Sequence, residues 1–141
     1  MIYLEGTDGV GKTTTAARLK ERGIDCADRH LDIISKYMLF DVPMDIRVEK
    51  YIQLLKQDVL IIFMINDDRE ELERRIKMRS TKHCEFDDKS YEYNCLYKET
   101  YEYMESHDLL NGRLIKVNVT DLNITQSADA VYNAIQETMN I

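Results

Sequence analysis

Apolar positions along this chain switch between unbroken runs and helical spacing, and the switches predict its elements. Residues 1–5, Met-Ile-Tyr-Leu-Glu, are short, apolar and β-prone; residues 12–22 read as a helix, which Gly23 ends from the position just past its last turn. Residues 24–27 form a short strand candidate, and 31–40 read as helical, with Pro43 stopping that helix or opening the next. In 44–57 the apolar residues Ile46, Val48, Tyr51, Ile52, Leu54 and Leu55 recur as on one face of a helix. Residues 59–65, Val-Leu-Ile-Ile-Phe-Met-Ile, are apolar throughout. Such a run predicts a strand covered on both faces, as in a parallel sheet between helices.

Asn66, Asp67 and Asp68 then cap a helix over 68–79, with Glu70 and Glu71 in its first turn, where carboxylates suit the helix dipole. A polar loop over 80–88, a long helix over 89–106, a strand over 114–119 and an amphipathic helix over 124–139 complete the chain. Strands alternating with helices predict an α/β fold: a three-layer α/β/α domain with a small, about four-stranded parallel sheet and right-handed crossovers. The 141 residues form a single domain, 1–141. Ligands of such sheets bind at the carboxyl ends of the strands. That rim gathers 6–13, Asp28 and Arg29, 66–68, Thr120 and Asp121.

Between the first strand and the first helix stands Gly6-Thr7-Asp8-Gly9-Val10-Gly11-Lys12-Thr13, a G-x-x-x-x-G-K-T loop followed by Thr14. In a strand–loop–helix context this pattern turns backbone N–H groups inward around a phosphate chain. Lys12 then reaches the outer phosphates and the Thr13 hydroxyl takes a place on Mg²⁺. The expected ligands are ATP and Mg²⁺.

Composition narrows the partners. The formal net charge is −7, so a general nucleic-acid surface is not expected, while a small anion held by a local cluster of Arg and Lys is. Three cysteines, Cys26, Cys84 and Cys95, contain no C-x-x-C pair, and His30, His83 and His107 show no metal spacing. Reduced thiols in a cytoplasmic protein are expected. The first residues run straight into a strand, with no basic leader, and no apolar stretch approaches the roughly 20 residues of a membrane span.

Several side chains could carry phosphoryl chemistry. Asp28 can hold Mg²⁺ or orient an acceptor oxygen, and Arg29 can clamp a phosphate; the competing reading is a surface ion pair. Arg75 and Arg79 are four apart on one helix face, with Lys82 just beyond. Cations converging on a transferring phosphoryl group suit that reaction, but Glu70, Glu71 and Glu73 could equally pair with these arginines on a solvated helix. Asp8 must point away from a triphosphate, toward a second substrate, or else brace its own loop. Tyr93, Tyr97 and Tyr101 form a stripe that reads as packing.

These residues, in this order, resemble the thymidylate kinase family of P-loop nucleotide kinases. The stretch Leu4-Glu5-Gly6-Thr7-Asp8-Gly9-Val10-Gly11-Lys12-Thr13-Thr14 is similar to that family's E-G-x-D-G-x-G-K-T-T loop. Asp28-Arg29-His30-Leu31-Asp32, with Tyr37 beyond, resembles its D-R-Y-x-D segment and downstream aromatic. The strand at 59–65, then Arg75 and Arg79, Phe86-Asp87 and Tyr101, follow its strand, lid arginines, F-E pair and later tyrosine.

The resemblance implies a nucleoside monophosphate kinase that moves the γ-phosphoryl of ATP to a deoxynucleoside 5′-monophosphate such as dTMP. Gly6 to Thr14 would bind the ATP phosphates, with Asp121 in the polar turn after the last strand. Thr13 and Asp28 would lie at Mg²⁺, and Asp8, Arg29, Tyr37 and Phe86 would hold the acceptor. Lys12, Asp28, Arg29, Arg75 and Arg79 would be the catalytic set, with residues 75–88 closing as a lid. Alternatives are a deoxynucleoside kinase, in which Asp28 is the base for a free hydroxyl, and a non-catalytic ATP-binding module acting through a partner. A homodimer is the assembly to test. Family members are longer: they carry a strand and helices between the first helix and the D-R segment, where this chain has only 21–27. The missing segment normally supplies the aromatic and the arginine that read thymine.

Overall fold

The computed structural model describes residues 1–7, 9–27, 42–78 and 89–139. Three strands, β1 (Ile2–Glu5), β2 (Leu60–Ile65) and β3 (Leu114–Asn118), form one parallel sheet in the order β1-β2-β3. Its register pairs Ile2 with Leu60 and Ile61 with Leu114. Five helices are described: α1 (Lys12–Glu21), α2 (Met44–Leu55), α3 (Arg69–Lys77), α4 (Ser90–Ser106) and α5 (Ile124–Met139).

The central strand explains the layers. Every residue of β2 is buried, and its side chains point alternately to two cores. Ile61, Phe63 and Ile65 meet α2 and α4 through Val48, Tyr51, Leu54, Tyr93, Tyr97, Tyr101 and Met104. Leu60, Ile62 and Met64 meet α1, α3 and α5 through Leu19, Leu72, Val131 and Ile135. The tyrosine stripe is packing: Phe63 takes Tyr51 and Tyr97 edge-on, with ring centroids 5.1 and 5.5 Å apart.

The sheet has three strands among the described residues rather than about four. Residues 24–27 contribute one parallel bridge, Ala27 beside Tyr3, in which Leu4 N donates to Ala27 O at 2.7 Å and Ala27 N to Ile2 O at 2.9 Å. Within 24–27, Ala27 is the residue that bridges β1, and Ile24 is held back at the glycine turn that closes α1. Gly23, at φ +81°, donates to Lys20 O at 3.0 Å, and Ile24 N to Leu19 O at 3.0 Å. The helix expected over 31–40 lies outside the described residues.

At the amino-terminal edge, Arg113 donates to the carbonyls of Leu55, Gln57 and Val59, joining the exit of α2 to the start of β3. No described helix is long and apolar enough to cross a membrane.

Candidate functional site

The loop between β1 and α1 lies at the carboxyl ends of the strands, packed between α3 and the start of α4. Gly6, at φ +156°, passes so close to β2 that an added Cβ would sit 2.7 Å from Met64 O. A backbone this near the strand leaves no place for a side chain. Val10 is fully buried against the α1–α3–α5 core and pins the middle of the loop. Gly11, at φ +104°, precedes α1, and among the described residues no side chain caps that helix's first turn. The uncapped N–H groups and the positive end of the helix are what an anion needs.

Lys12 lies back across the loop, donating from Nζ to Gly6 O and, at 3.5 Å, to Thr7 O. A flexible ammonium resting on carbonyls can exchange them for phosphate oxygens. Thr13 and Thr14 are exposed in the first turn of α1. The Thr7 hydroxyl is buried and turned elsewhere: it donates to Ser90 O at 2.6 Å and lies 3.0 Å from Ser90 Oγ. It therefore ties the loop to the first turn of α4.

Arg75, expected from the sequence at the start of a lid, lies against the loop. From α3 it donates to Glu71 at 2.9 Å, to the carbonyls of Gly9 and Val10 at 3.3 and 3.4 Å, and to Leu122 O at 3.1 Å. Its side chain is 17 % exposed. Both sequence readings meet here: the helix pairing with Glu71 is present, and the guanidinium also touches the loop. Glu71 binds Arg74 as well, at 2.5 and 2.8 Å. Hydrogen bonding from Arg74, with a further contribution from Arg75, holds the Glu71 carboxyl down at about 2.

Behind the loop, the carbonyl ends of β2 and β3 are joined by short polar links. Asn94 accepts from Asn66 N at 2.9 Å, Thr120 Oγ1 accepts from Asp67 N at 2.9 Å, and Lys98 meets Asp67 at 3.2 Å. Asp121, at φ +65° and exposed, forms the turn between Thr120 and Leu122. The turn after β3 is thus brought beside the loop through Leu122 and Arg75. On the opposite face of β1, Glu5 is buried and accepts from Tyr51 Oη at 3.0 Å. Burial first, and Glu5 next, push the Tyr51 hydroxyl well above its usual range, so it stays protonated.

The structure brings together Gly6, Thr7, Gly9, Val10, Gly11, Lys12, Thr13, Thr14 and Arg75, with the Asp121 turn alongside. Asp8, Asp28, Arg29, Tyr37, Arg79, Lys82 and Phe86 lie outside the described residues. Ser90, Asn94 and Leu122 were not legible as members of the site, whereas Glu71 was read as a partner for the arginines of α3. The Thr7–Ser90 contact spans 83 positions and the Arg75–Leu122 contact 47, and no local pattern encodes either.

The donor set fits a phosphate chain. Among the described residues no group of three or more His, Cys, Asp or Glu is placed to hold a metal. Magnesium on a triphosphate needs no such cage, since phosphate oxygens and water fill most of its shell and the protein adds only one or two ligands; of the two expected here, Thr13 is described and Asp28 lies outside the described residues. No family model matches the chain, and no curated protein or solved structure matches it significantly.

Proposed function

We propose that this chain is a compact P-loop nucleotide kinase of the thymidylate kinase type. It would use ATP and Mg²⁺ to phosphorylate a deoxynucleoside 5′-monophosphate. One observation carries the reading: a G-x-x-x-x-G-K-T loop lies between a strand of the parallel sheet and the start of α1, with Lys12 folded over its carbonyls. ATP supplies the transferable phosphoryl group. The first turn of α1 binds and orients the phosphates, Lys12 neutralises their charge, and the exposed Thr13 hydroxyl joins the metal's shell.

The acceptor half of the reading rests on the resemblance, through Asp8, Asp28, Arg29, Tyr37 and Phe86, and the lid on Arg79 with residues 75–88. The test is Mg-ATP titration, then a panel of nucleosides and deoxynucleoside monophosphates scored for ADP release. Mg-ATP should stabilise the protein, and Lys12→Ala should abolish that effect. Turnover with monophosphates supports the kinase reading, and turnover with free nucleosides alone would move Asp28 to the role of base. Binding without turnover on any acceptor would leave a nucleotide-binding module, and no binding at all would overturn the whole assignment.

A further inference from the structure

We infer that Arg75 is a positioning residue that shapes the phosphate loop from behind and couples it to the β3–α5 turn, rather than a lid cation that meets the phosphates. The inference rests on the nucleotide-binding reading for its functional meaning, but its geometry is independent of it. A loop that offers N–H groups to an anion must point its carbonyls away, and those carbonyls need donors of their own. Among the described residues, two cations donate to the loop's carbonyls. Lys12 holds the Gly6 and Thr7 carbonyls, and Arg75 holds those of Gly9 and Val10.

The two cations differ in how they are held. Lys12 has a flexible stem and follows the loop directly. Arg75 is fixed by a planar fork with Glu71 at 2.9 Å on one side and Leu122 O at 3.1 Å on the other. The same helix supplies the surface on which the loop rests. A Cβ on Gly9 would come within 3.2 Å of Ile76 and 3.4 Å of Leu72 O, and Val10 and Leu72 share one core. Leu72, Arg75 and Ile76 lie on one face of α3 and together form the loop's mount. An arginine committed to three carbonyls and a carboxylate has few donors left for a ligand.

The experiment uses the full chain with Arg75→Ala and Arg75→Lys. In ligand-free protein, backbone amide NMR should show shifts at Gly9, Val10, Gly11 and Leu122 in both variants, with β2 unmoved. Unmoved loop amides would overturn the inference whether or not the protein binds nucleotide. Affinities for Mg-ATP and for inorganic tripolyphosphate then separate the possible roles. A mount for the anion loop predicts that Arg75→Ala weakens both by roughly tenfold or more. Loss confined to Mg-ATP would make Arg75 a contact to the nucleoside, and turnover lost with both affinities intact would make it a lid residue; either overturns the inference. If wild type binds neither ligand, the nucleotide reading fails, while the amide shifts still decide whether the mount exists.

Discussion

Two buried or half-buried side chains carry more of this fold than their sequence neighbourhoods suggest. The Tyr51 hydroxyl reaches Glu5 at 3.0 Å across the interface of α2 and β1, in a place where both residues are buried. Removing that hydroxyl takes a donor from a buried carboxyl group, so Tyr51→Phe should cost about 1–3 kcal/mol in denaturant unfolding. A loss near zero would mean that Glu5 is satisfied without it. Glu71 makes a different prediction. Its carboxyl sits at about 2 in the fold against 4.5 unperturbed, so it is charged throughout the neutral range. A depressed carboxyl stabilises fully above its unfolded value, and that stabilisation fades as pH falls from 4.5 toward 2. Glu71→Gln should therefore flatten the stability profile over that window. Equal slopes for wild type and variant in acid titration of the unfolding midpoint would refute the linkage.

Among elements, α3 shows how local rules and long-range contacts divide the work. Asp68 was legible as its cap, and its carboxyl accepts from Glu71 N at 3.1 Å. Asp68→Ala should cost about 1 kcal/mol in global stability, and should also loosen the loop, because the capped helix is what holds Arg75 in place. Chemical unfolding measures the first effect, and hydrogen exchange at Val10 and Gly11 the second; a stability loss with an unchanged loop would separate cap from mount. Most element positions were legible for the same reason as this cap. Glycine ends α1, Pro43 opens α2, and an unbroken apolar run makes β2, all of them signals contained within a few residues. The strand candidate at 24–27 is met in part: Ala27 bridges Tyr3 of β1 in parallel, while Ile24 is tied back to Leu19 of α1. In the candidate site, the loop residues were legible as a motif. Their anchors Ser90 and Leu122 were not, since packing alone brings them there; the pairing of Arg75 with Glu71 was legible from their spacing, while its bonds to the Gly9, Val10 and Leu122 carbonyls were not.

Across the whole molecule, the short connection between α1 and the edge of the sheet bears on the proposed function. The chain leaves α1 at Glu21, turns at Gly23 and lies beside Tyr3 by Ala27. This stretch accommodates no added strand or helix, which is where longer kinases of the resembled type carry the groups that read thymine. Strong discrimination between bases requires buried donors and acceptors that are left unpaired by the wrong ligand. Stacking by aromatics such as Tyr37 and Phe86 does not supply it, because every base presents a face. Under the proposed function, dTMP, dUMP and the other deoxynucleoside monophosphates should therefore differ by less than about 100-fold in kcat/KM. Under the same proposal the acceptor should still need its sugar, since the resemblance would give Asp8 a sugar hydroxyl to hold, and Asp8→Ala should raise KM for the acceptor more than for ATP. Steady-state kinetics over the panel measures both. A preference for one base far above that bound would show that another part of the chain has taken over base reading. Equal turnover of a non-nucleotide phosphate acceptor would remove the role given to Asp8.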